Sequence, residues 1–178
     1  HLGCEGDALG ALEVPNTGTG GNRFVENYGV FDINFDGREI FKRAVRGMAL
    51  EVNKVLEELD MSKEDIKLLI PHQANKRIIE SLAHYLDMPM SRVVLNIQDY
   101  GNTSAASIPV ALVEALEQDL IQPGDLILLA AFGAGLTRGA GMIRWGARTT
   151  PLAQSDAALE PCDLTALEIL GEAIQKTR

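Results

Sequence analysis

Three short apolar runs, each ending at a polar or glycine-containing turn, constrain the fold of this chain more than any other feature. They cover residues 66–70, 93–97 and 126–131, and short apolar runs bounded by turn signals are typical of buried strands. Helical patterns separate the three runs. Strands that alternate with helices over short loops indicate an α/β fold built on a parallel sheet.

A distinctive group of residues follows each run. Pro71 and His72 end the first run, Gly101 and Asn102 come after the second, and a flexible turn at residues 133–135 follows the third. Ligands of such sheets bind beyond the carboxyl ends of the strands, which lie along one edge. The sequence therefore predicts an imidazole, a carboxamide and a flexible backbone turn at one edge of one sheet.

A further strand and a long helix precede the first run. Residues 31–35 alternate apolar and polar side chains, which predicts a strand with one buried face, ended by a turn at Asp36 and Gly37. A helix follows, and Glu51 is predicted to lie off its apolar face. That face contains Phe41, Ala44, Val45, Met48, Val52, Val55, Leu56 and Leu59.

A second helix is predicted to begin near Ala74 or Asn75, directly after His72. The partial positive charge at a helix N-terminus disfavours a protonated imidazole, so we expect His72 to be neutral. A third helix is predicted over residues 104–120, and a last strand over residues 139–145.

Composition and charge exclude several classes of protein. The chain has 178 residues, of which 46% are hydrophobic, and a net charge of −9. Such a chain is globular with a substantial core, and its acidity argues against binding nucleic acid. No run can span a bilayer and no secretory signal opens the chain. We therefore expect a cytoplasmic protein without membrane or nucleic acid partners, in which Cys4 and Cys162 are free thiols.

A metal site is one role to consider for the imidazole of His72. It would require further nitrogen, sulfur or carboxylate ligands at suitable spacing, and Asn102 is a poor ligand for zinc. We therefore predict neither a metal nor a cofactor. The other two histidines, His1 and His84, are interpreted as structural.

Three motifs, in order along the chain, carry a resemblance to a known family. Residues 71–79, 101–107 and 131–135 resemble the carboxyl-terminal half of β-ketoacyl–acyl carrier protein synthase III, a condensing enzyme of the thiolase superfamily. The resemblance extends from about Phe31 to Trp145. It implies a thiolase-like half of α/β class, with a mixed, mostly parallel sheet and helices on both faces.

The resemblance implies that His72 and Asn102 are the catalytic pair. Decarboxylation of a malonyl thioester leaves an enolate, and the Nε2–H of a neutral imidazole and the NH₂ of a carboxamide can both donate to its oxygen. The carbanion then attacks an acyl thioester held on a cysteine. The implied substrates are an acyl-CoA primer and malonyl–acyl carrier protein, and the implied process is fatty acid biosynthesis.

The resemblance also assigns roles to residues around this pair. In the family, a backbone amide of the turn that corresponds to Gly133, Ala134 and Gly135 helps to bind the tetrahedral oxyanion. Ala134 stands where the family usually has glycine, but alanine keeps the N–H donor. Phe132 resembles the aromatic residue packed against the active site, and Phe41 belongs to a segment resembling the one that flanks the pantetheine tunnel.

The segment Gln73, Ala74, Asn75, Lys76 and Arg77 resembles the one that receives the acyl carrier protein. Carrier proteins are acidic, so the two cations suit that contact. The alternative is that both cations are solvated charges of a helix.

The nucleophilic cysteine of the family has no counterpart here. Neither Cys4 nor Cys162 lies at a strand-to-helix turn of small residues. We therefore expect the chain to be the second half of a two-half fold, inactive without the missing amino-terminal half and homodimeric when complete. The alternatives are a related polyketide or alkylquinolone condensing enzyme, or a non-catalytic half that docks a carrier protein.

Residues 1–146 are expected to form the thiolase-like domain, and residues 147–178 a linker and a C-terminal helix. Thr165 and Glu168 have the spacing of a capping box at the start of that helix. The helix either docks a partner or packs on its own domain. Its predicted apolar stripe contains Leu164, Leu167, Leu170 and Ile174.

Overall fold

The computed structural model describes residues 1–7, 10–13, 34–150, 162–165, 168 and 170–171. Six strands and four α-helices lie within these residues. The strands are β1 (Leu2–Gly3), β2 (Leu12–Glu13), β3 (Asn34–Phe35), β4 (Leu68–Pro71), β5 (Leu126–Gly133) and β6 (Thr137–Arg144). The α-helices are α1 (Gly37–Glu58), α2 (Lys76–Tyr85), α3 (Ile97–Tyr100) and α4 (Ser107–Glu117).

Four of the strands form one mixed sheet in the order β1-β6-β5-β4. Strand β4 runs parallel to β5, while β6 is antiparallel to both of its neighbours. Strands β2 and β3 form a separate antiparallel pair. The predicted mixed α/β sheet is confirmed, but it is not mostly parallel. Among the described residues its parallel portion is the β4–β5 ladder together with one parallel bridge between Leu69 and Val93.

Helices cover both faces of the sheet, as predicted. Helices α1 and α2 pack on one face, where the buried core includes Met48, Leu69 and Leu128. Helix α4 packs on the other face, against Ile70 and Ile127. Neighbouring residues of a strand point to opposite faces, so β4 and β5 contribute to both cores and are the most deeply buried strands.

Helix α1 forms where the apolar periodicity predicted it. Asp36 does not make the predicted turn but caps the helix, because its carboxylate accepts hydrogen bonds from the backbone N–H groups of Arg38 and Glu39. The prediction for Glu51 was wrong. That side chain is fully buried and lies 2.8 Å from Nε of Arg138 on β6, which pairs its charge inside the structure.

The predicted strand over residues 93–97 was also wrong. Only Val93 bridges to β4, and a short helix, α3, begins where the strand was expected to end. The buried side chain of Gln73 replaces strand pairing here. Its Nε2 donates to the carbonyl oxygen of Val94 at 3.1 Å, and its Oε1 accepts from the N–H of Asn96 at 3.1 Å. One side chain therefore satisfies backbone groups that a neighbouring strand would otherwise pair.

Three predicted elements differ in detail. The described end of the strand predicted at residues 31–35 is β3, whose Phe35 is 66% exposed, so the expected buried face is absent there; residues 31–33 lie outside the described part. The third helix begins with a 3₁₀ turn, Ser104–Ala106, and continues as α4. Strand β6 matches the predicted last strand but begins earlier, at Thr137.

Most of the predicted C-terminal helix lies outside the described residues. The capping box is present, because Thr165 Oγ1 accepts from the N–H of Glu168 at 3.3 Å and the Glu168 carboxylate accepts from the N–H of Thr165 at 2.7 Å. Leu164 and Leu170 are exposed, so these two members of the apolar stripe do not pack on the domain.

Cys4 and Cys162 are exposed free thiols. Within the described part of the chain, no helix combines the length and apolarity that crossing a membrane requires.

Candidate active site

His72 follows β4 at the carboxyl edge of the sheet. Its backbone N–H donates to the carbonyl oxygen of Ala130 on β5 at 2.8 Å, which extends the parallel ladder by one bond and fixes the residue beside β5. Ala74 then donates back to the carbonyl oxygen of His72 at 2.9 Å, so the chain turns sharply before α2. The imidazole is held at the point where the sequence predicted it.

The imidazole of His72 is half-buried and contacts another side chain. Its Nδ1 lies 2.6 Å from Oγ of Ser107, the first residue of α4. Burial lowers the pKa of His72 because a charged imidazolium loses solvation there. The neutral state is therefore favoured at pH 7, as predicted, and burial is a cause of it that the sequence did not reveal. Helix α2 begins four residues after His72, at Lys76.

Asn102 lies in the loop between α3 and α4 and is exposed. Its Oδ1 accepts a hydrogen bond from the N–H of Ser104 at 2.9 Å, and its NH₂ group has no hydrogen-bond partner among the described residues. The preceding Gly101 has φ 68° and ψ −164°, a conformation almost restricted to glycine. Gly101 and the Ser104 bond together set the direction of the carboxamide.

The third predicted group is the turn between β5 and β6. Gly135 has φ 75°, which favours glycine, whereas Ala134 does not have a positive φ. Alanine is therefore compatible with the backbone at position 134. Gly133 approaches Thr137 closely, because a Cβ at this position would lie 3.3 Å from the Thr137 Oγ1.

A single cavity brings these groups together. It has a volume of about 560 Å³, and His72, Asn102, Gly133 and Ala134 all line it. Gly135 is not among its lining residues and contributes through the geometry of the turn. The predicted meeting of an imidazole, a carboxamide and a backbone turn at one edge of the sheet is thus present in the structure.

His72 also lines a second cavity, of about 470 Å³, on the side of α4. Phe132 lies at the border of both cavities, consistent with an aromatic side chain packed against the site. Phe41 lines the first cavity, and the guanidinium of Arg77 lies 5.9 Å from the centre of its ring. This distance is within the range of a cation–π contact.

The residues of the segment predicted to receive a carrier protein differ in their exposure to solvent. Asn75 caps α2 by accepting from the N–H of Arg77 at 2.9 Å, and Lys76 and Arg77 are exposed. Lys76 makes a weak ion pair with Glu80 on the same helix, at 3.8 Å. Gln73 is the exception: its side chain is 1% exposed and supports the loop before α3, so it is not available to a partner in this conformation.

Ser107 was missed as a functional candidate, and Gln73 was given a different role. Both stood in the motifs that drew attention to the site, but a serine at a helix start and a glutamine beside a histidine have many other uses. Their partners, His72 and Asn96, are far from them in sequence. Only the fold reveals these contacts.

The geometry suits the stabilisation of negative charge on an oxygen atom. A neutral imidazole and a carboxamide NH₂ can each donate a hydrogen bond without changing their own charge. In the described part of the chain, no three His, Cys, Asp or Glu side chains converge as a metal site would require.

Comparison with known proteins identifies the family. The sequence model described as "3-Oxoacyl-[acyl-carrier-protein (ACP)] synthase III C terminal" matches residues 56–145, just over half of the chain, and this match includes both His72 and Asn102. The chain belongs to this synthase III family. Its thiolase-like fold follows from the same relationship and from the solved relatives.

Individual relatives support the same family assignment. A curated relative, beta-ketoacyl-[acyl-carrier-protein] synthase III 2 of Vibrio vulnificus strain YJ016, is 52% identical over 98% of this chain and 48% of its own length. The crystal structure of the Pseudomonas aeruginosa PAO1 synthase III, FabH, has a TM-score of 0.74 and 37% identity, over 85% of this chain and 44% of that chain. The priming β-ketosynthase of the R1128 polyketide pathway has the same TM-score, with 28% identity over 82% of this chain and 44% of that chain. The synthase III chain described here therefore spans about half the length of the relatives it matches.

Proposed function

We propose that this chain is the carboxyl-terminal half of a β-ketoacyl–acyl carrier protein synthase III. The complete enzyme would consist of this chain and an amino-terminal half that carries the nucleophilic cysteine, and it would condense an acyl-CoA primer with malonyl–acyl carrier protein. The observation that carries the proposal is that His72 and Asn102, two uncharged donors, line one cavity at the edge of the sheet. Docking alone would require neither.

The proposed reaction needs no cofactor. The primer is first transferred to the cysteine as a thioester, with release of CoA. The malonyl group then loses CO₂, and the electron pair of the broken C–C bond forms an enolate whose thioester oxygen accepts hydrogen bonds from His72 and Asn102. The enolate carbon attacks the acyl thioester, a new C–C bond forms, and the cysteine thiolate leaves.

The turn between β5 and β6 has a separate task in this scheme. The attack on the acyl thioester places negative charge on a second oxygen atom, and a backbone N–H of the turn formed by Gly133, Ala134 and Gly135 would donate to it. The negative φ of Ala134 supports this role, since the alanine fits without distorting the turn. The two oxyanions then have separate donors.

The second cavity supports a role for an additional half. His72 and Phe132 line both cavities, so a cysteine can approach from one side while a carrier-bound substrate enters from the other. Helix α4 is apolar on more than one side, and Val113 on it is 53% exposed, as expected for a helix covered by a further layer.

A polyketide priming enzyme is the second candidate function, favoured by the likeness to the R1128 ketosynthase.

Assay of the complete enzyme tests the proposal. Supplied with an acyl-CoA primer and malonyl–acyl carrier protein, it is expected to release CO₂ and form a 3-oxoacyl carrier, detected by mass spectrometry of the carrier. The chain without the amino-terminal half is expected to form no acyl-enzyme, because the nucleophile is absent. Condensation by the isolated chain, or none by the complete enzyme with any acyl-CoA, would contradict the proposal.

The carrier is proposed to dock beside Arg77. Arg77 on α2 is an exposed cation that lines the cavity, and Lys42 on α1 is a second exposed cation. Neither has an ion-pair partner within the described residues. Arg77→Glu in the complete enzyme is expected to raise KM for malonyl–acyl carrier protein about tenfold, equivalent to ~1.4 kcal/mol, with kcat nearly unchanged. Steady-state kinetics with varied carrier concentration measure both constants.

The control for this variant is Lys67→Glu. Lys67 is exposed beside the start of β4, at the opposite end of the sheet from the cavity, so the same charge reversal there should leave KM unchanged. The effect of Arg77→Glu should shrink as ionic strength rises, because screening weakens the attraction that the variant removes. A KM that does not change, or changes equally in both variants, would identify Arg77 as a solvated helix charge.

A further inference from the structure

Ser107 makes a contact that the proposed reaction does not by itself require. Its Oγ lies 2.6 Å from Nδ1 of His72, and the backbone N–H of Gln73 donates to the same oxygen at 3.2 Å. The residue is only 2% exposed. One buried hydroxyl therefore faces both the imidazole and the backbone that carries the imidazole.

The hydrogen-bond capacity of this hydroxyl restricts the protonation of His72. A serine hydroxyl has one proton to donate and two lone pairs that accept. If Nδ1 carried a proton, Ser107 would accept from both His72 and Gln73, and its own proton would have no acceptor among the described residues. Leaving a buried donor unsatisfied is unfavourable. If Nδ1 is bare, Ser107 donates to it and accepts from Gln73, and every group is paired.

We propose that Ser107 is a positioning residue that holds neutral His72 in the tautomer with its proton on Nε2. The hydrogen bond made by one ring nitrogen sets the state of the other. This tautomer offers the cavity an N–H donor rather than a lone pair. The consequence for catalysis rests on the proposed function, whereas the tautomer itself does not.

The choice of serine fits an uncharged site. A carboxylate beside Nδ1 would accept from an Nδ1–H and would stabilise an imidazolium. Serine carries no charge to stabilise an imidazolium, and it donates its own proton to a bare Nδ1 while one lone pair accepts from the Gln73 N–H. The charged groups that line the two cavities beside His72 are Arg77 and Arg138, and both are cations, so neither favours a second proton on the ring.

Nuclear magnetic resonance of the complete enzyme, labelled with ¹⁵N-histidine, measures the tautomer directly. The His72 signals are those that disappear in His72→Asn. In the unmodified enzyme and in Ser107→Thr, which keeps the hydroxyl, the proton is expected on Nε2. In Ser107→Asp it is expected on Nδ1, because a carboxylate accepts only. An Nδ1–H signal for His72 in the unmodified enzyme overturns the proposal, whether or not the Asp variant folds.

The rate of malonyl decarboxylation gives a second readout. Above neutral pH, Ser107→Asp is expected to lose about 10²- to 10³-fold in rate, as on losing one oxyanion donor. The rate should recover as pH falls, because the imidazolium regains an N–H at Nε2, whereas Ser107→Thr should keep the flat profile of the unmodified enzyme. An Asp variant with a normal, flat profile overturns the proposal.

The two proposals fail in different ways. A proton on Nε2, together with normal decarboxylation by His72→Ala, would support the tautomer and overturn the proposed reaction. A proton on Nδ1, together with an inactive His72→Ala, would support the proposed reaction and overturn the role of Ser107.

Discussion

His72→Ala and Asn102→Ala, introduced separately into the complete enzyme, are each expected to slow malonyl decarboxylation by about 10²- to 10³-fold, the usual effect of removing one oxyanion donor. Each should leave acylation of the cysteine largely intact, because that step forms no enolate. Release of labelled CO₂ from malonyl–acyl carrier protein measures the first step. Transfer of radiolabelled primer to the protein measures the second.

The chain offers matched controls for both variants. His84 is exposed on α2 and Asn53 is exposed on α1, and neither lines the cavity that contains His72. His84→Ala and Asn53→Ala should therefore decarboxylate at the normal rate. Normal decarboxylation by both His72→Ala and Asn102→Ala would show that the roles assigned to this pair are wrong.

The double variant separates a shared oxyanion from two independent effects. If His72 and Asn102 donate to one oxygen, removal of the first donor already misplaces the enolate, so the second removal should cost less than it does alone. The product of the two single losses is expected only if the residues act on different atoms.

The co-location of His72 and Asn102 could be predicted because it follows from topology. Polar groups placed just after buried strands converge at the carboxyl edge whatever the details of the loops. This held even though the second run is not a strand: Val93 still bridges to β4, and α3 carries the chain on to Asn102. The predicted co-location of His72 and Asn102 required only that the second run follow β4 in the same direction. It did not require that run to pair with β4 as a strand.

The wrong predictions concern buried polar side chains. One bonds to backbone groups that a strand would otherwise pair, and the other has its charge paired by a distant side chain instead of being solvated. Gln73 pairs backbone groups that an apolar run seemed to reserve for a strand. Glu51 was placed off the apolar face of α1, and glutamate is rarely buried without a partner. Its partner, Arg138, is 87 residues away in sequence, so periodicity within α1 contains no sign of the pair.

The buried pair of Glu51 and Arg138 is expected to dominate the stability of the face covered by α1. Glu51 is fully buried and Arg138 is 12% exposed. Glu51→Leu removes one partner and leaves the guanidinium desolvated, with Glu5 as its remaining ion-pair partner at 2.6 Å. Breaking a buried pair in this way typically costs about 3–5 kcal/mol of unfolding free energy. Urea denaturation of the complete enzyme measures the loss.

A double-mutant cycle distinguishes the pair from simple packing. Glu51→Leu with Arg138→Leu removes both charges, so the double variant should be less destabilised than the sum of the single variants. Glu57→Leu, at an exposed position on the same helix, should change stability by no more than about 0.5 kcal/mol. Additive losses in the cycle would mean that the two charges do not depend on each other.

The dependence of stability on pH provides an independent test of the same pair. Burial acts to raise the pKa of Glu51, but hydrogen bonds from Arg138 and Lys54 outweigh it, and the pKa lies below its ordinary value. A carboxyl whose pKa is lowered on folding stabilises the protein above its unfolded pKa, and this contribution is lost as pH falls through the folded pKa. The unmodified protein should therefore lose stability on acidification below the ordinary glutamate pKa. Glu51→Gln, which cannot ionise, should be less stable at neutral pH and should lose less on acidification, because the charge that acid removes is already absent.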